Sequence, residues 1–286
     1  MTAPQQTPDN RRGFVLVSVL WLGAFLIVLI GALLQQSRTT LSVSRTGVEE
    51  AVADGLLTAA VETIAVRYMG SSPPKTSDGR VQTLSFANGS VRIAVEDANG
   101  LVDLNRAAPE MIEFFTMAGG DERSARAILE RRGDLGAPLT APWRTPGELA
   151  DDRGISGQVA AFATSYATVF SSKGAINPMT APLAVLLMLP GVDAETAAHV
   201  MAIRSGAAGD PQPVMDLLAN SAHLLDPTPG KVYEAYLSAT VKGGLTKTAL
   251  ATMLFGGDTS VPYRILDWRP WADQPAWVRG RVAPQK

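Results

Sequence analysis

A run of about 21 residues without a charge, residues 14–34, constrains this chain of 286 residues more than any other feature. The run reads FVLVSVLWLGAFLIVLIGALL and follows directly on Arg11, Arg12 and Gly13. A helix rises ~1.5 Å per residue, so a helix of this length spans the ~30 Å hydrocarbon core of a bilayer. The sequence therefore predicts a membrane-spanning helix over residues 14–34, preceded by a short polar leader, residues 1–13.

The leader differs from that of an ordinary secreted protein. A secretory signal peptide has a shorter apolar core, followed by a cleavage site of small residues. No such site follows Leu34. By the positive-inside rule, Arg11 and Arg12 keep the leader in the cytoplasm and place the long C-terminal part outside. A plain single-pass anchor is one explanation of this pattern.

The sequence Arg-Arg-Gly-Phe directly before a membrane helix resembles the processing site of type IV pilin-like precursors. In that family a prepilin peptidase cuts after the glycine and methylates the new N-terminus. The resemblance implies that the peptidase recognises Arg11 and Arg12, cleaves after Gly13 and methylates Phe14. We favour this processing over a plain anchor.

The fifth residue after that cut is Ser18, where most pilin-like proteins carry Glu. A carboxylate in lipid is costly unless a cation neutralises it. In pilin-like filaments this Glu pairs with the free amine of the subunit ahead, so a subunit with none ahead gains no partner. Absence of the Glu is a feature of the minor pseudopilin K of type II secretion systems (the general secretion pathway protein K family). The chain resembles that family along nearly its whole length.

The composition agrees with a globular part tethered to a membrane. Hydrophobic residues are 46% of the chain and charged residues 18%, which is enough apolar material for a packed domain. The formal net charge of −2 gives no electrostatic footprint for nucleic acid. Cysteine is absent, which excludes disulfides and thiolate metal sites.

The pattern after residue 34 predicts that the helix continues to residues 70–74, where two prolines end it. An apolar row with spacing i, i+4 predicts the face that packs on a sheet: Val48, Val52, Leu56, Ala60 and Ile64, widened by Ala51 and Ala59. Alternating residues predict strands over 82–86 and 90–96, joined by a type I′ turn at Asn88 and Gly89. Three further strands are predicted over 233–242, 247–255 and 263–268.

Between these two groups of strands the pattern is helical and contains a weak repeat, residues 100–132 and residues 174–204. Both copies run from glycine, through Asp or Asn and Ala-Pro, into two helices that end in Arg. The sequence therefore predicts an α+β fold, in which a type IV pilin-like long N-terminal helix packs on an antiparallel sheet. The predicted segments are 14–34 in the membrane, 35–70 as the periplasmic half of the helix, and 81–98 with 226–286 as the sheet. A large all-α insertion, residues 99–225, carries two helix-hairpin-helix-like repeats.

The second copy raises an alternative function. Its sequence LPGVDAETAAHVMAIR resembles a DNA-binding helix-hairpin-helix, a module found in membrane-anchored receptors of competence-type systems. That mechanism needs a second glycine for close approach to a phosphate. Asp193 stands there and would repel the phosphate, and Arg204 alone does not restore a basic surface. We therefore predict a structural hairpin and no nucleic-acid partner.

The sequence gives little support for an enzymatic or a metal-binding site. No nucleophile, zinc or phosphate-loop motif occurs, and His199 and His223 have no partner motif, so we predict no catalytic residues. The segment from Asp97 to Gly100 lacks the spacing of a calcium-binding EF-hand, with Ala108 at the position of the bidentate Glu. No cofactor is predicted; the resemblance leaves calcium open, with ligands that the sequence does not name. Trp143 is either a core residue, which its size favours, or a contact for a partner.

The resemblance implies a non-enzymatic minor pseudopilin at the tip of the type II secretion pseudopilus, which initiates or caps assembly for export across the outer membrane. It implies a single-pass protein of the inner membrane with most of the chain in the periplasm. The implied partners are other minor pseudopilins in a tip complex, the prepilin peptidase and the inner membrane. A secreted substrate and the outer-membrane secretin stay open as further partners. The insertion of about 125 residues agrees with the tip, because a head of that size would clash with a subunit stacked above it.

Overall fold

The computed structural model describes residues 11–68, 79, 81–133, 142–206, 210–256 and 261–270. In the first helix it describes the side chains of residues 19–31 and 46–68. The chain divides into two compact units, Met1–Val52 and Ala53–Lys286. Most of the predicted leader, the predicted stop at 70–74 and the predicted sheet residues 271–286 lie outside the described residues. The predicted segment boundaries there stay predictions.

The helices and strands follow the predicted order. The long helix α1 covers Arg11–Tyr68 and is followed by the strands β1 and β2. Among the described residues, the insertion (residues 99–225) then contains two short strands and six α-helices, and three long strands follow it. In chain order the elements after α1 are β1 (Gln82–Phe86), β2 (Gly89–Asp97), β3 (Val102–Asp103), α2 (Pro109–Ala118), α3 (Arg123–Arg132), α4 (Gly157–Tyr166), β4 (Ala167–Thr168), α5 (Leu183–Leu186), α6 (Ala194–Gly206), α7 (Gln212–Leu217), β5 (Val232–Val241), β6 (Thr246–Phe255) and β7 (Tyr263–Arg269). Short 3-10 helices occupy Ala98–Gly100, Pro146–Asp151 and Ala219–Leu224.

The two groups of strands form one five-stranded sheet in the order β1-β2-β5-β6-β7, antiparallel throughout. Each predicted strand is confirmed to within one residue at either end. The strand β2 pairs with β5 along its whole length, so the insertion leaves the sheet and returns to it on neighbouring strands. The predicted α+β fold class is therefore confirmed. In the described part of the insertion, the elements are helical apart from the parallel pair of β3 and β4 and a parallel bridge between Ile176 and Leu225, which the prediction of an all-α segment missed.

In the second compact unit, the last four turns of α1 pack on one face of the sheet. The predicted row of Leu56, Ala60 and Ile64 is buried, as expected. The prediction was wrong for Val48, which is 64% exposed, and for Ala51, which is exposed, whereas Val52 and Ala59 are half-buried. The buried face of α1 is rotated by one residue from the predicted one, because a second row of buried side chains lies beside the first: Ala53, Leu57, Val61 and Ala65. Tyr68 closes this layer against the rings of Tyr233 and Phe255.

The insertion has a hydrophobic core of its own, in which Trp143 is 1% exposed and lies among residues of α2, α3 and α4. Its large aromatic and aliphatic side chains explain why a segment between two strands can fold as a block. Trp143 is thus a core residue, and the alternative that it forms an exposed partner contact is wrong. Arg131 lies over its ring at 6.0 Å from the centroid.

The turn between β1 and β2 differs from the prediction. Phe86 pairs with Gly89, so the turn residues are Ala87 and Asn88, and Gly89 belongs to β2. A type I′ turn needs positive φ at both central residues, and neither Ala87 nor Asn88 has it. Gly89 is needed for a different reason. A Cβ atom at this position would lie 2.3 Å from the carbonyl oxygen of Thr240 on β5.

We expect Gly89→Ala to destabilise the protein by about 1–3 kcal/mol, because the backbone of β5 cannot move away from the added methyl group. The matched control is Gly55→Ala on α1, where nothing lies within 4 Å of the added Cβ. That change should stabilise the helix by up to about 1 kcal/mol. Thermal unfolding of the full chain in detergent, followed by circular dichroism, compares the two. Equal unfolding temperatures for both variants would contradict the close approach at Gly89.

Candidate functional site

Residues 19–31 of α1 form a helical segment that is exposed on every side. Every one of these residues is apolar or glycine, and Trp21, Ile27 and Leu20 are more than 70% exposed. The predicted processing residues Arg11, Arg12, Gly13 and Phe14, together with Ser18, lie in the first turns of the same helix. Their side chains lie outside the described part of the structure, so their roles stay predictions.

Across the described ranges, no helix combines the length and the apolar character that a membrane crossing requires.

A second candidate site lies where the insertion joins the sheet, and the two sequence repeats build it. In the first repeat (residues 100–132), Asp103 accepts a hydrogen bond from the backbone N–H of Asn105 at 2.8 Å. In the second repeat (residues 174–204), Asn177 accepts the equivalent bond from Met179 at 3.0 Å. The side chain thus caps a turn two residues ahead of it in each copy. The repeat predicted from sequence is present as a repeated backbone structure.

Each of these turns binds a residue that precedes the other repeat. The second carboxylate oxygen of Asp103 accepts from the backbone N–H of Ser171 at 2.9 Å, and Ser171 lies three residues before Gly174. The side-chain amide of Asn177 donates to Asp97 at 3.1 Å, and Asp97 lies three residues before Gly100. The two contacts are related by the repeat. They form one buried junction, since Asp97, Asp103, Ser171 and Asn177 are each at most 3% exposed.

The two repeat glycines allow this approach. A Cβ atom on Gly174 would lie 2.2 Å from the carbonyl oxygen of Arg106 in the first repeat. A Cβ atom on Gly100 would lie 2.9 Å from the carbonyl carbon of Thr180 in the second. Each glycine therefore packs against the Ala-Pro turn of the opposite repeat, where no side chain fits.

The arginines that end the repeats hold the same turns from within. Arg132 donates to the carbonyl oxygen of Ala107 at 2.7 Å, and Arg204 donates to that of Ala181, also at 2.7 Å. Ala107 and Ala181 occupy equivalent places, four residues after Asp103 and Asn177. These hydrogen bonds stabilise the two turns, which explains why both repeats end in arginine.

Asp97 joins the insertion to both strands that flank it. It accepts hydrogen bonds from the backbone N–H groups of Asn99 and Gly230, each at 2.9 Å, in addition to the Asn177 amide. Burial raises the pKa of Asp97, and these three donors oppose that shift. N–H groups therefore point at both oxygens of Asp97, which acts as a hydrogen-bond acceptor for the chain on either side of the insertion. Within the described residues, no group of three metal-ligating side chains occurs.

Asp103 is the second buried carboxyl of the junction. Burial raises its pKa to about 6, while the N–H groups of Asn105 and Ser171 and the charge of Arg106 act in the opposite direction. The carboxyl of Asp103 therefore changes its charge near neutral pH, in the middle of the contact between the two repeats.

The other residues singled out from sequence lie away from the junction. Asp193 is exposed and caps the start of α6 by accepting from the N–H of Thr196 at 2.8 Å. The basic residue of this hairpin, Arg204, donates to the carbonyl oxygen of Ala181. His199 is exposed on α6. The imidazole of His223 lies 2.9 Å from Glu110 on the surface.

No family model matches the chain, and no curated protein matches it. Among solved structures, it is similar to a chain in the crystal structure of the GspK-GspI-GspJ complex from the Type 2 Secretion System of enterotoxigenic Escherichia coli. The sequences are 13% identical, and the match covers 84% of this chain and 99% of that chain with a TM-score of 0.46.

At this identity and TM-score, the likeness supports no statement about function. The functional proposal therefore depends on the residues of this chain.

We expect the Asp103 carboxyl to make stability depend on pH. Its pKa is about 6 in the folded chain and 3.8 in the absence of burial, so the folded state binds the proton more tightly. The resulting stabilisation is complete below pH ~4 and is lost as the pH rises through ~6, a change of about 3 kcal/mol. Asp103→Asn should remove this part of the pH dependence, although it loses the bond from Ser171.

The measurement is the unfolding free energy of both forms at several pH values, compared as a difference so that other titrating groups cancel. Glu113→Gln, which changes an exposed carboxyl of α2, is the matched control. A difference between wild type and Asp103→Asn that does not vary with pH would contradict the raised pKa.

Proposed function

We propose that the chain is a minor pseudopilin of a type II secretion system, anchored in the inner membrane with its sheet and insertion in the periplasm. One observation carries the proposal: a helix of 58 residues has an exposed, wholly apolar segment at residues 19–31, and its end is packed on an antiparallel sheet. Apolar surface costs about 25 cal/mol per Å² in water. A segment of this kind needs lipid or the helices of neighbouring subunits around it.

The sequence around this segment supports the same proposal. We infer that Arg11 and Arg12 are read by a prepilin peptidase, that cleavage follows Gly13 and that Phe14 becomes a methylated N-terminus. The basic pair precedes an uncharged run of sufficient length to span a bilayer. A subunit of this type assembles side by side with others through the apolar helix, so the proposed partners are other minor pseudopilins.

We further propose that the chain occupies the tip of the pseudopilus, where it initiates or caps assembly for protein export. Two features support this position. The insertion adds a second core to the sheet, and it emerges between two central strands, so it adds bulk beyond the sheet. Ser18 supplies no carboxylate for the amine of a subunit ahead. In that position, the insertion is the part of the chain that would contact a secreted substrate or the outer-membrane secretin.

Processing is tested by the intact mass of the full chain extracted from membranes of a host with an active prepilin peptidase. We expect a protein that lacks residues 1–13 and carries one added methyl group. The same chain from a host without the peptidase is the control and should keep all 286 residues. A mass that still includes residues 1–13 in the first host would refute the pilin-like assignment and favour a plain anchor.

The tip position is tested by Ser18→Glu, with Ser18→Gln as the neutral control. A tip subunit has no amine above it, so the new carboxylate stays unpaired in lipid and pseudopilus formation should fall by about tenfold or more. In an internal subunit the same carboxylate would find its partner, and assembly would be unchanged or improved.

Since the chain has no cysteine, single cysteines introduced at the exposed Val48 and Val66 give a second readout. With a single cysteine also introduced into each of the other minor pseudopilins, we expect disulfide crosslinks between them and this chain and none between two copies of this chain. Crosslinks to subunits both above and below would contradict the tip model.

A further inference from the structure

The helices α2 and α3 of the insertion leave an open groove of about 430 Å³ between them. Its floor is apolar and consists of Met117, Ala125 and Leu129. The side chain of Met117 is 58% exposed in this groove. The rim consists of exposed charged residues: Glu113, Glu122, Arg126 and Glu130. The groove therefore combines an apolar floor with a rim that is mostly negative.

Two of the three glutamates on the rim are available to a positively charged group. Arg126 is paired with Glu130, since the guanidinium Nε lies 2.6 Å from the carboxylate. Across the described ranges, Glu113 and Glu122 take part in no ion pair. Opposite charges attract at this separation even near a protein surface. The open side of the groove thus favours a segment that carries basic residues.

The second repeat shows that the fold does not require this charged rim. The helices α3 and α6 are equivalent in the two repeats, because corresponding positions are buried in both: Ala125 and Ile128 on α3, Ala197 and Val200 on α6. At the exposed positions, each charged rim residue of α3 corresponds to an exposed alanine of α6. The pairs are Glu122 and Ala194, Arg126 and Ala198, and Glu130 and Ala202. The charges on α3 therefore favour a role in binding over a role in folding.

Residues 271–286 of the same chain have the complementary chemistry. They read WADQPAWVRGRVAPQK, with three basic residues and a single acidic one, Asp273. The segment also contains two tryptophans and two valines, which suit an apolar floor. An aromatic ring beside a methionine thioether is a favourable contact, and Met117 offers that thioether at the surface.

The segment begins within reach of the groove. Asp267 on β7 faces Thr252 on β6, and Thr252 faces Glu234 on β5. Glu234 accepts a hydrogen bond at 3.2 Å from the hydroxyl of Thr168 on β4, at the edge of the insertion. The helix α4 ends where β4 begins, and its aromatic side chains contact those of α2. Strands lie about 4.8 Å apart and packed helices about 8–10 Å, so this path is roughly 30 Å long. Sixteen extended residues span up to ~50 Å.

We propose that residues 271–286 bind in the groove between α2 and α3 of the same molecule, with basic side chains at Glu113 and Glu122 and an apolar side chain on Met117. The segment then ties the end of the sheet to the insertion, in addition to the junction at Asp97. A short connection holds the segment near the groove at an effective concentration of about the mM range, so a modest affinity is sufficient. This contact requires neither processing of the leader nor assembly of a filament, so it is tested separately from the proposed function.

Because the chain has no cysteine, the contact is tested with the pair Met117→Cys and Val278→Cys in the full chain in detergent micelles. Mild oxidation should form a disulfide within one molecule, identified by intact mass and peptide mapping. The matched control is the pair Leu187→Cys and Val278→Cys, since Leu187 is an apolar residue of the second repeat with 44% exposure. We expect the first pair to form its disulfide about tenfold faster or more than the control, because binding raises the effective concentration.

The role of charge is tested in the same Met117→Cys and Val278→Cys chain. Glu113→Lys together with Glu122→Lys should slow disulfide formation by about fivefold or more, because attraction at the rim becomes repulsion. Adding Arg279→Glu and Arg281→Glu to that variant should restore the rate. All of these substitutions lie outside the hydrophobic core of the insertion, and circular dichroism of each variant checks that it is folded.

Equal rates for the two cysteine pairs would overturn the proposal, as would a rate that does not respond to the reversed charges. A disulfide between two copies would assign the groove to the segment of a second molecule. Absence of any disulfide would assign it to a different protein. Either of these results would overturn binding within one molecule.

Discussion

The hydrogen bonds of Asp97 are the interaction on which the rest of the second compact unit depends. They hold the first residues of the insertion, through Asn99, and its return to the sheet, through Gly230. A Cβ atom on Gly230 would lie 2.4 Å from the Asp97 carboxylate, so the returning chain passes against the point where it left. The entropic cost of closing a loop grows only slowly with its length. A large insertion is therefore compatible with full pairing of β2 with β5, provided that its two ends are held together in this way.

The junction also explains why the two repeats differ at their equivalent positions. Asn177 must donate to the carboxylate of Asp97, which an aspartate could do only in its protonated form. Asp103 must accept from the N–H of Ser171, which the amide side of an asparagine cannot do. The same turn thus carries an acceptor in one repeat and a donor in the other. The divergence between copies follows from which neighbour each one meets, and the internal symmetry of the backbone is kept.

Sequence reasoning succeeded where the pattern is local. The strands, the long helix and the repeat all follow from periodicity and from turn residues within a few positions of each other. It failed at Gly89, because a glycine next to an asparagine predicts a turn, whereas this glycine is required by the approach of Thr240 on another strand. The junction was missed for a similar reason. Asp97 and Gly230 are 133 residues apart, and no periodicity in a single sequence relates a carboxylate to so distant an N–H group.

The proposed function depends on how the insertion is carried by the sheet. The strands β2 and β5 lie inside the sheet and are buried along most of their length. The last turns of α1 pack on one face of this sheet. The insertion is joined to these two strands by hydrogen bonds at both ends and by the contact of Thr168 with Glu234. A receptor that captures a ligand at a distance gains from a flexible connection. A subunit at the end of a filament gains from a firm connection between its insertion and its long helix. Within this unit, the end of the helix packs on the sheet, and hydrogen bonds join the sheet to the insertion.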